Sequence, residues 1–214
     1  MNNKEKFVIT INREVGSGGR TVGEKLAAQL GVDFYDKALI KALQEKYHLT
    51  VEEIEKLKGR KNNWWSDFAR IVPIGDAIKY YKTELGKEPE LLTTEDVFEA
   101  EQEILNGIAM NGSCVIAGRS GFFVFRNHPN HINVLIRAPH EARVQRIIRE
   151  QNVSEKEAEA IIKRVDKMRV NYVSRYTGKS RYDTQNYDLV INMNGLSEDD
   201  AASLILDYIN KTSK

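Results

Sequence analysis

Between Phe7 and Leu30 the sequence sets a β-branched run against a helical one, with four small residues at the junction. That junction limits the possible folds more than anything else in the chain. Phe7-Val8-Ile9-Thr10-Ile11 has the composition of a buried strand. It passes through Asn12-Arg13-Glu14-Val15 into Gly16-Ser17-Gly18-Gly19. From Thr21 to Leu30, the residues Val22, Leu26, Ala27 and Leu30 recur on one helical face, and Gly31 stands where a helix C-terminus is capped. Val32 to Tyr35 reads as a second short strand, ending at Asp36. Strand, glycine turn, helix and strand make one βαβ unit.

The remainder repeats that alternation. Helices are expected over about Glu95–Met110, His140–Gln151, Ser154 to about Tyr176, and Glu198–Ile209 behind a Ser197 cap. Ser154-Glu155-Lys156-Glu157 has the spacing of a capping box. The sequence therefore predicts an α/β fold, with one mostly parallel five-stranded sheet covered by helices on both faces. Its strands lie near Phe7–Ile11, Val32–Tyr35, Cys114–Ala117, Ile132–Ile136 and Leu189–Asn192. Ala38–Tyr47 and a segment opened by Thr50-Val51-Glu52-Glu53 read as helical. Trp64, Trp65, Tyr80 and Tyr81 follow, interrupted by Pro73 and Gly75. We read 49–92 as a helical insert within a single domain spanning 1–214.

Charge is balanced overall, with 32 basic residues against 31 acidic in 214. That balance points away from a nucleic-acid or membrane binder. Locally it is uneven. Glu84 to Glu103 holds eight acids and one lysine, whereas Arg143 to Arg181 holds eleven Lys/Arg against five Asp/Glu. One cysteine, Cys114, excludes an intrachain disulfide, and its apolar neighbours mark it as a buried hydrophobe. The four histidines lack metal-ligand spacing, no apolar run reaches a membrane span, and Met1–Lys6 lacks a signal-peptide core. A cytosolic location is the default expectation.

The glycine turn carries the chemistry. Such a turn between strand and helix bares successive backbone N–H groups and aims the positive end of the helix dipole at the same point. That is more than a tight turn needs, and it suits phosphate. Asp36, at the end of the second strand, lies at a distance suited to a dinucleotide ribose. However, Thr21 replaces the third glycine of G-x-G-x-x-G, and no Gly-Lys-Ser/Thr of a standard Walker loop is present.

Ile9-Thr10-Ile11-Asn12, Gly16-Ser17-Gly18, Thr21-Val22 and Leu26-Ala27 resemble, without gaps, the start of bacterial cytidylate kinases. Arg13 to Arg20 with Phe34-Tyr35-Asp36-Lys37 is more similar to the cytidylate kinase-like branch of that P-loop superfamily. Gly118-Arg119-Ser120-Gly121 resembles the family's turn after the third strand. Arg143 and Arg146 resemble the helix leading to its arginine-bearing lid. Asp166-Lys167-Met168-Arg169 with Tyr172 resembles the lid helix, and Tyr187 to Asn192 the last strand. The likeness runs from about Phe7 to Ile209 and is weakest in the insert. It departs at three places: the P-loop lysine falls at Gly19, the first loop glycine at Arg13, and the aspartate after the third strand at Ser120.

The resemblance implies an ATP- and Mg²⁺-dependent phosphotransferase acting on a small-molecule acceptor such as a nucleoside monophosphate. Gly16, Ser17, Gly18, Gly19, Arg20 and Thr21 would wrap the phosphates, with the Thr21 hydroxyl on Mg²⁺. Arg20 or Arg13 would supply the cation absent at Gly19, unless they pair with acids such as Glu14 or Glu24. Arg143, Arg146, Arg164 and Arg169 would close on the triphosphate, the lid itself spanning about 151–187. Asp36 and Arg119 would face the acceptor, and Arg20, Asp36 and Arg169 are the expected catalytic residues. Two other readings remain open: a nucleotide-binding regulator or pseudokinase, favoured by Gly19 and Ser120, and an NAD(P)-dependent oxidoreductase, favoured by Asp36.

Overall fold

A computed structural model describes residues 5–36, 95–118 and 120–213. The expected helix Ala38–Tyr47, the expected insert at 49–92 and Arg119 lie outside the described residues. The chain divides into two compact units, 1–34 with 113–214, and 35–112.

Five strands form one sheet in the order β2-β3-β1-β4-β5. They are β1 (Val8–Arg13), β2 (Asp33–Asp36), β3 (Cys114–Ala117), β4 (His131–Arg137) and β5 (Leu189–Asn192). β1 pairs in parallel with β3 on one side and β4 on the other, and β4 pairs in parallel with β5. The helices are α1 (Gly19–Leu30), α2 (Glu95–Asn111), a single turn α3 (Gly121–Val124), α4 (His140–Gln151), α5 (Glu155–Thr177) and α6 (Glu198–Thr212). The sequence reading holds for the strand set, and β3 and β5 match it residue for residue. β1 runs two residues past the apolar stretch because Asn12 and Arg13 keep pairing with Leu135 and Ile136. The turn α3 was not expected.

In the first unit, alternate β1 residues Ile9 and Ile11 share a core with Val22 and Leu26 of α1. Ile132, Val134 and Ile136 of β4 join them, with Ala202, Ile205 and Ile209 of α6. Each fully buried aliphatic side chain contributes about 1.5–3 kcal/mol, and together they fix α1 against β1. A second, smaller cluster of Val144, Ile147, Ala158 and Ile162 packs α4 onto α5. Gly31 caps α1 in the left-handed conformation (φ 66°). Ser154 and Ser197 each complete a reciprocal capping box, with Glu157 and Asp200 respectively.

In the second unit, Phe98, Ile104, Leu105 and Ile108 form a buried stripe along α2. Among the described residues, no helix is long and apolar enough to cross a membrane. Cys114 is buried, and desolvation, with Asp33 adding to it, pushes its thiol up to about 12.

Candidate functional site

The turn between β1 and α1 is built around two glycines with positive φ, Gly16 at 75° and Gly18 at 79°. A side chain at Gly16 would place its Cβ 2.8 Å from the Arg143 carbonyl oxygen, so both the backbone angle and the space call for glycine. Gly18 is the N-cap of α1 and, having no side chain, makes no side-chain cap. The first helical hydrogen bond of α1 runs from the Val22 amide to the Gly18 carbonyl at 3.1 Å. Among the described residues, the amides of Gly18, Gly19 and Thr21 donate to no acceptor. No acid stands in the first turn either. The result is a run of bare N–H groups at the positive end of a helix, which is the arrangement that binds phosphate.

Ser17 turns inward: its hydroxyl donates to the Glu14 carbonyl oxygen at 2.8 Å. Thr21 is half-buried in the first turn, and its hydroxyl makes no hydrogen bond among the described residues. Gly19 opens α1 with no room for a side chain. A Cβ there would lie 2.7 Å from Cβ of Arg13 and 3.0 Å from Cβ of Ile136. Position 19 is thus pressed against the root of the loop.

The loop is held from outside by residues far along the chain. Glu14 Oε2 accepts from the Ala138 amide at 3.2 Å, and the Glu14 amide donates to the Ile136 carbonyl at 3.1 Å. Arg143, buried on α4, donates from Nε to the Val15 carbonyl at 2.8 Å. Its Nη2 donates to Asp166 Oδ2, and Asp166 Oδ1 accepts from the Val15 amide at 3.2 Å. Arg143 Nη1 also stands 3.6 Å from Glu14 Oε1. Arg169 Nη1 and Arg181 Nη2 both donate to the Arg13 carbonyl, at 3.1 and 2.6 Å.

The residues named from sequence therefore divide. Gly16, Ser17, Gly18, Gly19 and Thr21 make the cradle itself. Arg143 and Arg169 reach the loop, but they do so through its carbonyls. Arg146 pairs with Glu198, and with Glu150 at 3.2 Å, beside Gly18. Arg20 takes the alternative left open for it, an i,i+4 pair with Glu24 at 3.0 Å. The Arg13 side chain runs under position 19, and its Nη1 ends 2.9 Å from where a Cβ on Gly118 would lie. Arg164 is exposed on α5. Asp36 is buried at the end of β2, in the second unit. Sequence reasoning passed over Arg181 and Glu14 as site residues. Both act on backbone groups, which leave no trace in a motif.

Comparison with known proteins follows the same lines. A curated cytidylate kinase from Sulfolobus acidocaldarius is 27% identical over 208 residues, covering 95% of this chain and 94% of that protein. A crystal structure of an uncharacterized protein from Eubacterium ventriosum shares the fold with a TM-score of 0.64 at 24% identity, covering 95% of this chain and 98% of that one. A shikimate kinase from Bacteroides thetaiotaomicron superposes with a TM-score of 0.50 at 16% identity, over 96% and 98% of the two chains. The description of the cytidylate kinase-like family matches residues 8–195, from the first residue of β1 to three residues past β5, and the chain belongs to that family.

Proposed function

We propose that the protein is an ATP-dependent phosphotransferase whose Gly16–Thr21 loop holds the polyphosphate, with a nucleoside monophosphate as the first acceptor to test. One observation carries this reading: the bare amides of Gly18, Gly19 and Thr21 at the uncapped start of α1. The family supports it, and so does the curated cytidylate kinase relative.

In this reading the chain's residues bind and orient. The loop amides hold phosphate oxygens, and the α1 dipole favours their charge. Phosphoryl transfer depends mostly on such positioning and charge neutralisation. The free Thr21 hydroxyl is the residue that would hold Mg²⁺, a hard cation suited to oxygen ligands, with phosphate oxygens and water completing the shell. The ion would neutralise charge on the polyphosphate. Arg143 and Asp166 keep the loop in its binding conformation. Asp36 and Arg119 are assigned to the acceptor on the sequence argument, and 151–187 to the lid.

A second reading, a nucleotide-binding regulator on the same fold, is favoured by the crowding at Gly19, which leaves no room for the family's lysine. A panel of nucleoside monophosphates and nucleosides, assayed for ATP consumption beside calorimetric MgATP binding, separates the two. Binding with turnover on one acceptor supports the kinase. Binding without turnover on any acceptor supports the regulator, and absence of MgATP binding defeats both.

A further inference from the structure

Arg181 follows the C-terminal end of α5, at the close of the basic stretch. It is only 3% exposed. Its Nη2 donates to the Arg13 carbonyl at 2.6 Å, but its Nε and Nη1 have no hydrogen-bond partner among the described residues. Asp166 Oδ1 is 4.0 Å from Nη1, beyond hydrogen-bond reach. Both Asp166 oxygens are already engaged, Oδ1 by the Val15 amide and Oδ2 by Arg143. A buried guanidinium with two unsatisfied nitrogens is costly to keep unless something completes it.

Its location says what that something is. Arg181 touches the glycine loop at its root, on the carbonyl of Arg13. Arg13 is also the residue against which position 19 is pressed, Cβ to built Cβ at 2.7 Å. So the guanidinium is anchored on the same residue, Arg13, against which position 19 is pressed. The same loop leaves the amides of Gly18, Gly19 and Thr21 open. The bare amides and the helix N-terminus belong to the loop at whose root Arg13 holds this incompletely paired buried cation. An anion with several oxygens answers all three, and a guanidinium fork suits phosphate.

We propose that Arg181 is a phosphate-binding residue of the loop, bringing from the far end of the fold the positive charge that position 19 cannot carry. The proposal rests on the polyphosphate reading of the loop. It extends that reading by naming the cation and by placing it outside the loop and outside α5.

A structural role and a binding role predict opposite results for Arg181→Met. The Arg13 carbonyl keeps Arg169 as a donor when Arg181 is removed. Methionine fills similar volume without an unpaired charge, so the ligand-free melting temperature should hold or rise. Affinity for tripolyphosphate and for MgATP should fall about tenfold to a hundredfold, as loss of a charge-assisted hydrogen bond does. Affinity for adenosine, which has no phosphate, should not change. Arg181→Lys should recover part of the loss. Calorimetric titration of parent, Arg181→Met, Arg181→Lys and Gly16→Val with the three ligands decides it. If Gly16→Val loses tripolyphosphate while both Arg181 variants bind it like the parent, the loop reading stands and the assignment of Arg181 is overturned. If Arg181→Met does not fold, Arg181→Lys decides alone, and parental affinity overturns the assignment. If the parent binds neither tripolyphosphate nor MgATP, the loop reading falls and the Arg181 proposal with it.

Discussion

Arg143 and Asp166 hold one residue, Val15, by both of its backbone groups. Arg143 Nε donates to its carbonyl at 2.8 Å, and Asp166 Oδ1 accepts from its amide at 3.2 Å. The two side chains also bond each other, which closes a ring around the peptide backbone. The start of the loop is therefore not free to open while α4 and α5 stay packed.

Breaking that ring should be costly. Arg143→Ala leaves Asp166 and Glu14 without their shared buried cation, and removal of one partner of such a pair costs about 3–5 kcal/mol. Urea denaturation should show this as a lower midpoint with an unchanged slope. MgATP affinity should fall as well. A variant with both parental stability and parental affinity would refute the brace.

Introducing a lysine at position 19 should fail. Gly19→Lys needs a Cβ only 2.7 Å from Cβ of Arg13 and 3.0 Å from Cβ of Ile136, neither of which is a flexible tip. The expected outcome is a loss of about 1–3 kcal/mol, typical of overpacking, with no gain in MgATP affinity. Tighter binding in calorimetry would show that the loop can accommodate the lysine.

Arg20→Ala should do little to phosphate binding. Its pair with Glu24 is a half-exposed i,i+4 contact, worth about 0.3–0.5 kcal/mol. We expect MgATP affinity within about twofold of the parent, a free-energy change below about 0.5 kcal/mol. A tenfold loss would instead place Arg20 on the phosphates.

His131 makes stability depend on pH. Its half-buried ring lies between the Thr10 hydroxyl at 3.0 Å and the Phe125 carbonyl at 2.9 Å. Burial lowers its pKa from 6.5 to about 4, despite the Phe125 carbonyl pulling the other way. The unfolded chain takes up this proton near 6.5, the folded chain only near 4. Stability therefore falls as pH drops through that window and is flat in this respect above and below it. The full effect is about 3 kcal/mol. Denaturation of parent and His131→Gln between pH 7 and 4 should show the parent losing that much more. Parallel pH profiles would remove His131 as the cause.

The strands and helices were legible because each follows from local pattern: β-branched runs for β1, β3 and β4, and one-sided apolar spacing for α1 and α6. Their ends were less so. Asn12 and Arg13 belong to β1 only because β4 offers them partners, and His131 and Arg137 lengthen β4 for the same reason. The glycine turn between β1 and α1 was legible as well, since Gly16, Gly18 and Gly19 fall within four residues. Its supports were not. Arg143, Asp166 and Arg181 act on backbone atoms 128, 151 and 168 residues away, and nothing in their own neighbourhoods marks which of eleven basic residues turns inward.

The helix caps differ in a way that bears on how the protein responds to its ligand. α5 and α6 each satisfy their first turn with a serine and an acid three residues on, α1 with nothing from its own sequence. Two helices thus carry their own endings, while the third awaits one from solution. Bound phosphate would serve α1 as a missing cap, finishing its first turn and slowing amide exchange at Gly18, Gly19 and Thr21. Ligand affinity and helix stability would then be one quantity measured in two ways. In the phosphotransferase proposed above, each departure of the phosphate ligand would fray the first turn of α1 again.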